Sequence, residues 1–496
     1  MMGAWALATP ASSGPDENGH LMKAAATVRG DFEGTETASP GIRTFELPGS
    51  LAEPGGPIGC YAFKPFESAA CVSAEQKPLP AEMTAESGVA AYNPVYYALV
   101  GWPSWFTGGN ASVFAMRLVS ALLSSALWAI TFTVVSVVSS RPRASLAVMM
   151  VGLTPFAVYL GSLVNPSGAE VSSAAAALAL IAALASRRLR PTSFVVGLTT
   201  AVAVLLSNLR SISPAILLMI VVLVIVSTGV PPMREIWDVV RNRVILIAGA
   251  VGILFALWWA LFISSGSGYI PSSGAERPDM LEAFWHTFTL TPDYGRNAVG
   301  IFGWLDTVLP EQFYVFWLIL ATLALIVGLI VGNMRFRIAI VLAAGAMILV
   351  PAILQALTAE EYGYIWQGRY SLPFAVVLIA LVALAVGMRS RSVDGSGDTQ
   401  HERGTAIGLA ALIVVGILNL AVQGYAFLFV LRRFAIGIEG TWAGLFTAPE
   451  WVPVFGVVPS LALFAAGSLC FAPGLLALPG IQRRAVRPKP SAEIVS

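Results

Sequence analysis

Charge is scarce in this chain of 496 residues: Asp, Glu, Lys and Arg together make up 11% of it, against about 25% in soluble proteins. Lysine is nearly absent, with only Lys23, Lys64, Lys77 and Lys489. So little polar surface does not keep a chain of this size in water, and a soluble globular enzyme is excluded. Acidic and basic residues nearly cancel, 28 against 29, which removes the electrostatic case for nucleic acid. Three cysteines exclude a disulfide-dense secreted scaffold. The three histidines are His20, His286 and His401, and no His-Glu-x-x-His or Cys-x-x-Cys occurs, so a histidine-built zinc site is not expected. No glycine-rich loop follows a strand pattern, so a nucleotide has no visible home. Ser264-Ser265-Gly266-Ser267-Gly268 has the make-up of a turn, not of a nucleophile elbow.

Apolar residues are what the chain has instead, at 56% of the whole and a mean hydropathy of +0.76. A spanning helix needs about 20 of them in a row. Eleven stretches reach or approach that length: 113–138, 144–163, 169–185, 192–207, 213–229, 244–264, 313–332, 338–357, 371–388, 405–431 and 453–478. The expected fold is an all-α polytopic membrane protein, a bundle of about 11–12 transmembrane helices. The 192–207 stretch is short, and Asn208 and Arg210 divide it from the next. Met1–Thr9 covers only about half a bilayer at 1.5 Å per residue. It reads either as the outer end of a first transmembrane helix that begins upstream or as a short interfacial segment. No basic n-region is present, so no cleavable signal peptide is expected.

Arginine placement sets the orientation. Alternate connections are basic: Arg141/Arg143, Arg187/Arg188/Arg190, Arg234/Arg241/Arg243, Arg335/Arg337, Arg389/Arg391/Arg403 and the tail Arg483/Arg484/Arg487/Lys489. These are expected to be cytoplasmic. The opposite face then carries a first loop of 10–111, a second at 265–312, and shorter ones at 358–370 and 432–452. Along the chain this gives a helix end at 1–9, the large loop at 10–111, helices over 112–264, the loop at 265–312, helices over 313–478 and a basic tail from 479 to 496. Chemistry is expected on the extracytoplasmic face. Cys60 and Cys71 both fall there, where an oxidising compartment lets them pair, although two separate thiols remain the alternative.

Polar residues beside helix ends on that face are the candidates for function. Asp16 and Glu17 are adjacent carboxylates, and their repulsion favours a proton or a cation between them. Either outcome suits a general base or a metal-assisted site, and a plain N-cap is the competing reading. Arg369 is the only basic residue of its loop and stands beside Tyr370; a guanidinium there grips a phosphate or anchors the chain at the interface. Glu170, beside Asn165-Pro166-Ser167-Gly168, and Arg210 are ionisable groups at membrane depth, so they are either functional or snorkelling. Tyr92-Asn93-Pro94-Val95-Tyr96-Tyr97 resembles an aromatic belt.

In order along the chain stand Pro15-Asp16-Glu17 with His20, Cys60-Tyr61-Ala62-Phe63 with Pro65 and Cys71, and Asn93-Pro94 with Tyr96-Tyr97. Asn165-Pro166 with Gly168 and Glu170, Gly303-Trp304-Leu305-Asp306-Thr307 with Pro310, and Gln367-Gly368-Arg369-Tyr370 with Pro373 complete the series. This series resembles a family of bacterial membrane proteins labelled domain of unknown function 2142. That family in turn is similar to the GT-C glycosyltransferases, multi-helix enzymes that use polyprenyl-phosphate sugars. The resemblance implies a GT-C-like bundle in the bacterial cytoplasmic membrane. It implies Asp16 and Glu17 as catalytic base or metal ligands, with His20 completing a site for Mg or Mn. His20, Asn93, Asn165, Glu170, Arg210, Arg369 and Tyr370 are the residues expected on the substrate side. Where related enzymes often show His-Pro-Pro, this chain has Asn93-Pro94-Val95, so no histidine role carries over there. The implied reaction is inverting transfer of a sugar from a polyprenyl-phosphate-linked donor to an envelope glycan or lipid. Two rival classes are an envelope lipid or polysaccharide transporter and a non-catalytic assembly protein. A transporter would gather its charges near the midplane in repeated halves, whereas these charges gather at the outer rim.

Overall fold

Where water is absent, an apolar run satisfies its own backbone only as a helix. The computed structural model, which describes residues 1–39, 41–75, 78–264, 277–388 and 398–485, is accordingly an all-α polytopic membrane protein. Among the described residues, eight helices are long and apolar enough to cross a bilayer. They are Gly109–Val138, Pro166–Ala185, Val240–Phe262, Glu311–Val331, Met334–Tyr362, Gly368–Gly387, Ala406–Ile436 and Val457–Pro479. Ser193–Ser207 and Ser213–Thr228 are apolar but shorter. The turn beyond Ser264, most of the 390–404 connection and the tail from 486 lie outside the described residues.

One expected span is not a single helix. The stretch at 144–163 is divided into Pro142–Gly152 and Pro155–Ser162, bent by 68°. Pro155 has no N–H and pushes Thr154 out of the helical region, and Thr154 then caps the second piece by accepting from the Ala157 N–H at 3.1 Å. A break at this depth is tolerated only if its carbonyls find new donors. Asn419 donates to the Met150 and Leu153 carbonyls at 2.8 and 3.1 Å, and Gln423 to Leu153 at 2.9 Å. Trp317 donates to Val151 at 3.0 Å. Replacing both Asn419 and Gln423 with Leu is therefore expected to cost about 1–3 kcal/mol, because the buried Leu153 carbonyl then loses both of its side-chain donors. Thermal unfolding in detergent reads this, and an unshifted melting temperature in the double variant would show that the break needs no support.

Two helices form the centre of the bundle. Pro166–Ala185 and Gly368–Gly387 are buried over 94% and 89% of their apolar windows, and they pack against each other. Both run in the same sense, with their N-termini at the end that bears the large loops. At the far end three arginine-side connections meet. Arg188 donates to the Val138 and Met388 carbonyls, and the Ser140 N–H donates to Gly387. Gly168 permits the close approach that the Asn-Pro-x-Gly turn needs, since a Cβ there would lie 2.4 Å from the Leu160 carbonyl oxygen.

The first loop is a folded cap. Strands Thr35–Glu36, Arg43–Pro48 and Glu82–Ser87 form an antiparallel sheet with Phe45 opposite Ala85 and Leu47 opposite Met83. Helix Glu17–Val28 lays Met22, Ala25 and Ala26 on its inner face. Its Lys23 is fully buried among Phe45, Tyr97 and Trp259, and burial brings its pKa down to about 7. Cys60 and Cys71 are joined by a disulfide with their Cα atoms 6.0 Å apart. Met2–Ala8 lies inside the bundle, not at an interface, with Trp5 wholly buried against Tyr159, Phe302 and Phe427. The second loop holds helices Met280–Thr289 and Thr291–Gly300. The connection expected at 358–370 is shorter, because helix Met334–Tyr362 continues through Glu360 and Glu361.

Candidate functional site

Three of the sequence motifs meet on one short segment, Ala11–Glu17. The Tyr61 hydroxyl donates to the Ala11 carbonyl at 3.3 Å, the Trp304 indole to Ser12 at 3.1 Å and the Tyr159 hydroxyl to Ser13 at 3.3 Å. Asn165 donates to the Pro15 carbonyl at 3.0 Å while its Oδ1 caps helix Pro166–Ala185. Arg433, fully buried, ties the Tyr61 carbonyl (2.9 Å) to Asp306 (2.9 Å) and so holds the Cys60–Cys71 turn over the segment. The chain leading to Asp16 is thus fixed from several elements.

Adjacent carboxylates here do different things. Glu17 is fully buried and forms a two-pronged pair with Arg117, Nε to Oε1 at 2.7 Å and Nη2 to Oε2 at 2.5 Å. It also accepts the Val164 N–H at 3.1 Å and the Gly14 N–H at 3.3 Å. Glu17 therefore does not stand beside Asp16 as a second catalytic or metal-binding carboxylate; its oxygens are occupied. Asp16 stands at the N-cap position of the helix, yet its side chain makes no capping bond and its φ is 58°. The capping reading does not describe it either.

Asp16 turns instead toward the start of helix Gly368–Gly387. Its Oδ2 accepts from Arg369 Nη2, and the carboxylate is 47% exposed while the arginine is 3% exposed. Arg369 also donates to the Pro15 carbonyl at 3.3 Å and to the Tyr370 hydroxyl at 3.1 Å, leaving its buried Nε without a partner. Arg210 lays its guanidinium over the Tyr370 ring at 4.0 Å, with Tyr92 beside it. It is 3.6 Å from Glu170, whose other oxygen accepts from Ser213 at 2.5 Å. Nη1 of Arg210 has no hydrogen-bond partner. Two guanidiniums thus converge on one tyrosine at the N-terminal ends of the two central helices, Arg369 with its Nε unanswered and Arg210 with its Nη1 ion-paired to Glu170. Both the charges and the helix ends favour an anion.

His20 sits one turn beyond Asp16, with Nδ1 2.8 Å from the Tyr97 hydroxyl and its ring between Tyr92 and Tyr97. Burial keeps it neutral, lowering its pKa to about 3 against the pull of Asp16. Burial opposes ionisation of Asp16 too, but the Arg369 guanidinium, with Arg210 behind it, outweighs it and holds the carboxyl below its ordinary value. A divalent cation does not fit this arrangement. Glu17 is taken by Arg117, His20 is bonded to Tyr97, and two guanidiniums face the remaining carboxylate. Among the described residues no three His, Cys, Asp or Glu side chains gather as metal ligands.

The structure therefore brings together Asp16, His20, Asn165, Glu170, Arg210, Arg369 and Tyr370. It does not place Asn93 among them: Asn93 caps helix Pro94–Gly101 and donates to Asn208 at 2.9 Å, so it is a packing residue. Tyr92 and Tyr97, which the sequence presents as a belt, are site residues. Tyr97 belongs to the Asn93-Pro94 motif, and the sequence signal of Tyr92 is adjacency to it. Among known families, one described as "Predicted membrane protein (DUF2142)" matches residues 1–378. No curated protein and no solved structure matches.

Proposed function

Since the chain belongs to the DUF2142 family of membrane proteins, whose activity is open, we propose from its site that it is an integral-membrane glycosyltransferase of GT-C type. It moves a sugar from a polyprenyl-phosphate donor to an envelope glycan or lipid at the outer face of the bacterial cytoplasmic membrane. One observation carries this reading. A buried guanidinium with an unanswered donor, Arg369 Nε, lies beside a half-exposed carboxylate, Asp16, and shares Tyr370 with a second guanidinium, Arg210, that Glu170 holds.

In the reaction, Asp16 takes the proton of the acceptor hydroxyl as its oxygen bonds to the anomeric carbon. Attack comes from the side opposite the phosphate, so the configuration inverts. The bond from that carbon to the phosphate oxygen breaks, and its electron pair leaves with the lipid phosphate. Arg369 and Arg210 answer the charge that grows there, held in place beforehand by Tyr370, Pro15 and Glu170. The lipid tail lies against the apolar helices, and no nucleotide fold is needed. No step passes through a metal.

Transfer of labelled sugar from polyprenyl phosphate in membranes tests the proposal. Arg369→Lys keeps the charge but loses the planar fork, and is expected to raise KM for the donor about 10- to 100-fold, the worth of one charge-assisted hydrogen bond. Unchanged transfer by an Arg369→Lys, Arg210→Gln double variant would remove the phosphate from this site, and a transport or assembly role would then take its place.

A further inference from the structure

Arg369 and Asp16 are unequal partners. The arginine is wedged: Pro15 and Tyr370 accept two of its bonds, and Tyr370 is itself covered by Arg210. The aspartate is 47% exposed, caps nothing and sits in a left-handed conformation that its own side chain does not stabilise. Its carboxylate carries the kind of charge and the acceptor geometry that a phosphate oxygen offers a guanidinium. From this geometry we infer that Asp16 is a displaceable internal anion, which closes the arginine site until a lipid phosphate takes Arg369 from it. This rests on the phosphate reading given above.

The consequence is an order of events. While Arg369 holds the carboxylate, Asp16 is a poor base, and an acceptor hydroxyl that arrives first is not activated. When the donor phosphate binds, the arginine stays and the exposed carboxylate turns outward. Asp16 then loses its cation and gains proton affinity at the moment a base is needed. The donor must bind before the acceptor for transfer to proceed. The same pairing taxes donor affinity, because only molecules with Arg369 open can bind.

That tax is measurable without catalysis. The purified full chain in detergent is titrated with farnesyl phosphate, and in parallel with inorganic phosphate. Asp16→Asn and Asp16→Gly both suit a φ of 58°, and the glycine has no side chain with which to hold the arginine. Both variants are expected to bind farnesyl phosphate about tenfold more tightly than the parent, as when about nine molecules in ten are closed. Arg369→Gln should lose the binding. Equal or weaker binding in both Asp16 variants, with Arg369→Gln still deficient, overturns the displacement and leaves the phosphate site standing. No binding of farnesyl phosphate by the parent or by either Asp16 variant overturns the phosphate reading and the inference together. Tightening for inorganic phosphate alone would overturn the lipid as the source of the anion.

Discussion

Asp16→Asn is expected to give a folded protein that has lost sugar transfer by about 10²- to 10⁴-fold, the usual effect of removing one acid–base catalyst. Folding should survive for reasons local to this residue. Asn tolerates the left-handed backbone that Asp16 adopts at φ 58°. No capping bond is lost, because the Asp16 side chain makes none. Arg369 keeps the Pro15 carbonyl and the Tyr370 hydroxyl as acceptors, and the amide oxygen of Asn can still accept from it. Chemistry should not survive, since an amide takes no proton from the acceptor. Labelled-sugar transfer and thermal unfolding in detergent, measured on the same preparation, separate the two effects. Full transfer by a well-folded Asp16→Asn protein would end the assignment of Asp16 as base.

Much of this arrangement was legible in the sequence, and the rest was hidden for identifiable reasons. Run length located the helices, because it follows from what lipid excludes. The motif order picked out Asp16, His20, Asn165, Glu170, Arg210, Arg369 and Tyr370, which the fold gathers at one end of two central helices. The pairing of Asp16 with Glu17 misled, since neighbouring positions at the start of a helix point to different sides. Arg117 reaches Glu17 across 100 residues of sequence and Arg433 reaches Asp306 across 127, and no local pattern announces contacts of that span. The break at Thr154-Pro155 was readable as a cap followed by proline at the first helical position. Uniform apolarity on both sides concealed it.

Glu17→Gln is expected to act on folding, and to act strongly. Arg117 is fully buried in the helix Gly109–Val138, and its donors are all answered. Nη1 reaches the Ala6 and Thr9 carbonyls at 3.1 and 3.0 Å, Nη2 the Pro10 carbonyl at 2.7 Å, and Nε and Nη2 the Glu17 carboxylate. The pair thereby ties the end of helix Met2–Ala8, the approach to Asp16 and the turn at Val164 to one span. Glutamine preserves shape but removes the counter-charge and points an N–H₂ group at a guanidinium. A buried cation left without its partner costs about 3–5 kcal/mol, a large part of the roughly 5–15 kcal/mol that holds a domain together. Folded protein recovered by detergent gel filtration should fall sharply, with transfer activity falling in step. Adding Arg117→Met should restore part of the loss, because deleting both charges of a buried pair is often nearly neutral. If Glu17→Gln instead keeps its melting temperature and loses only transfer, then Glu17 belongs to the chemistry beside Asp16, and the division of labour between the two carboxylates is wrong.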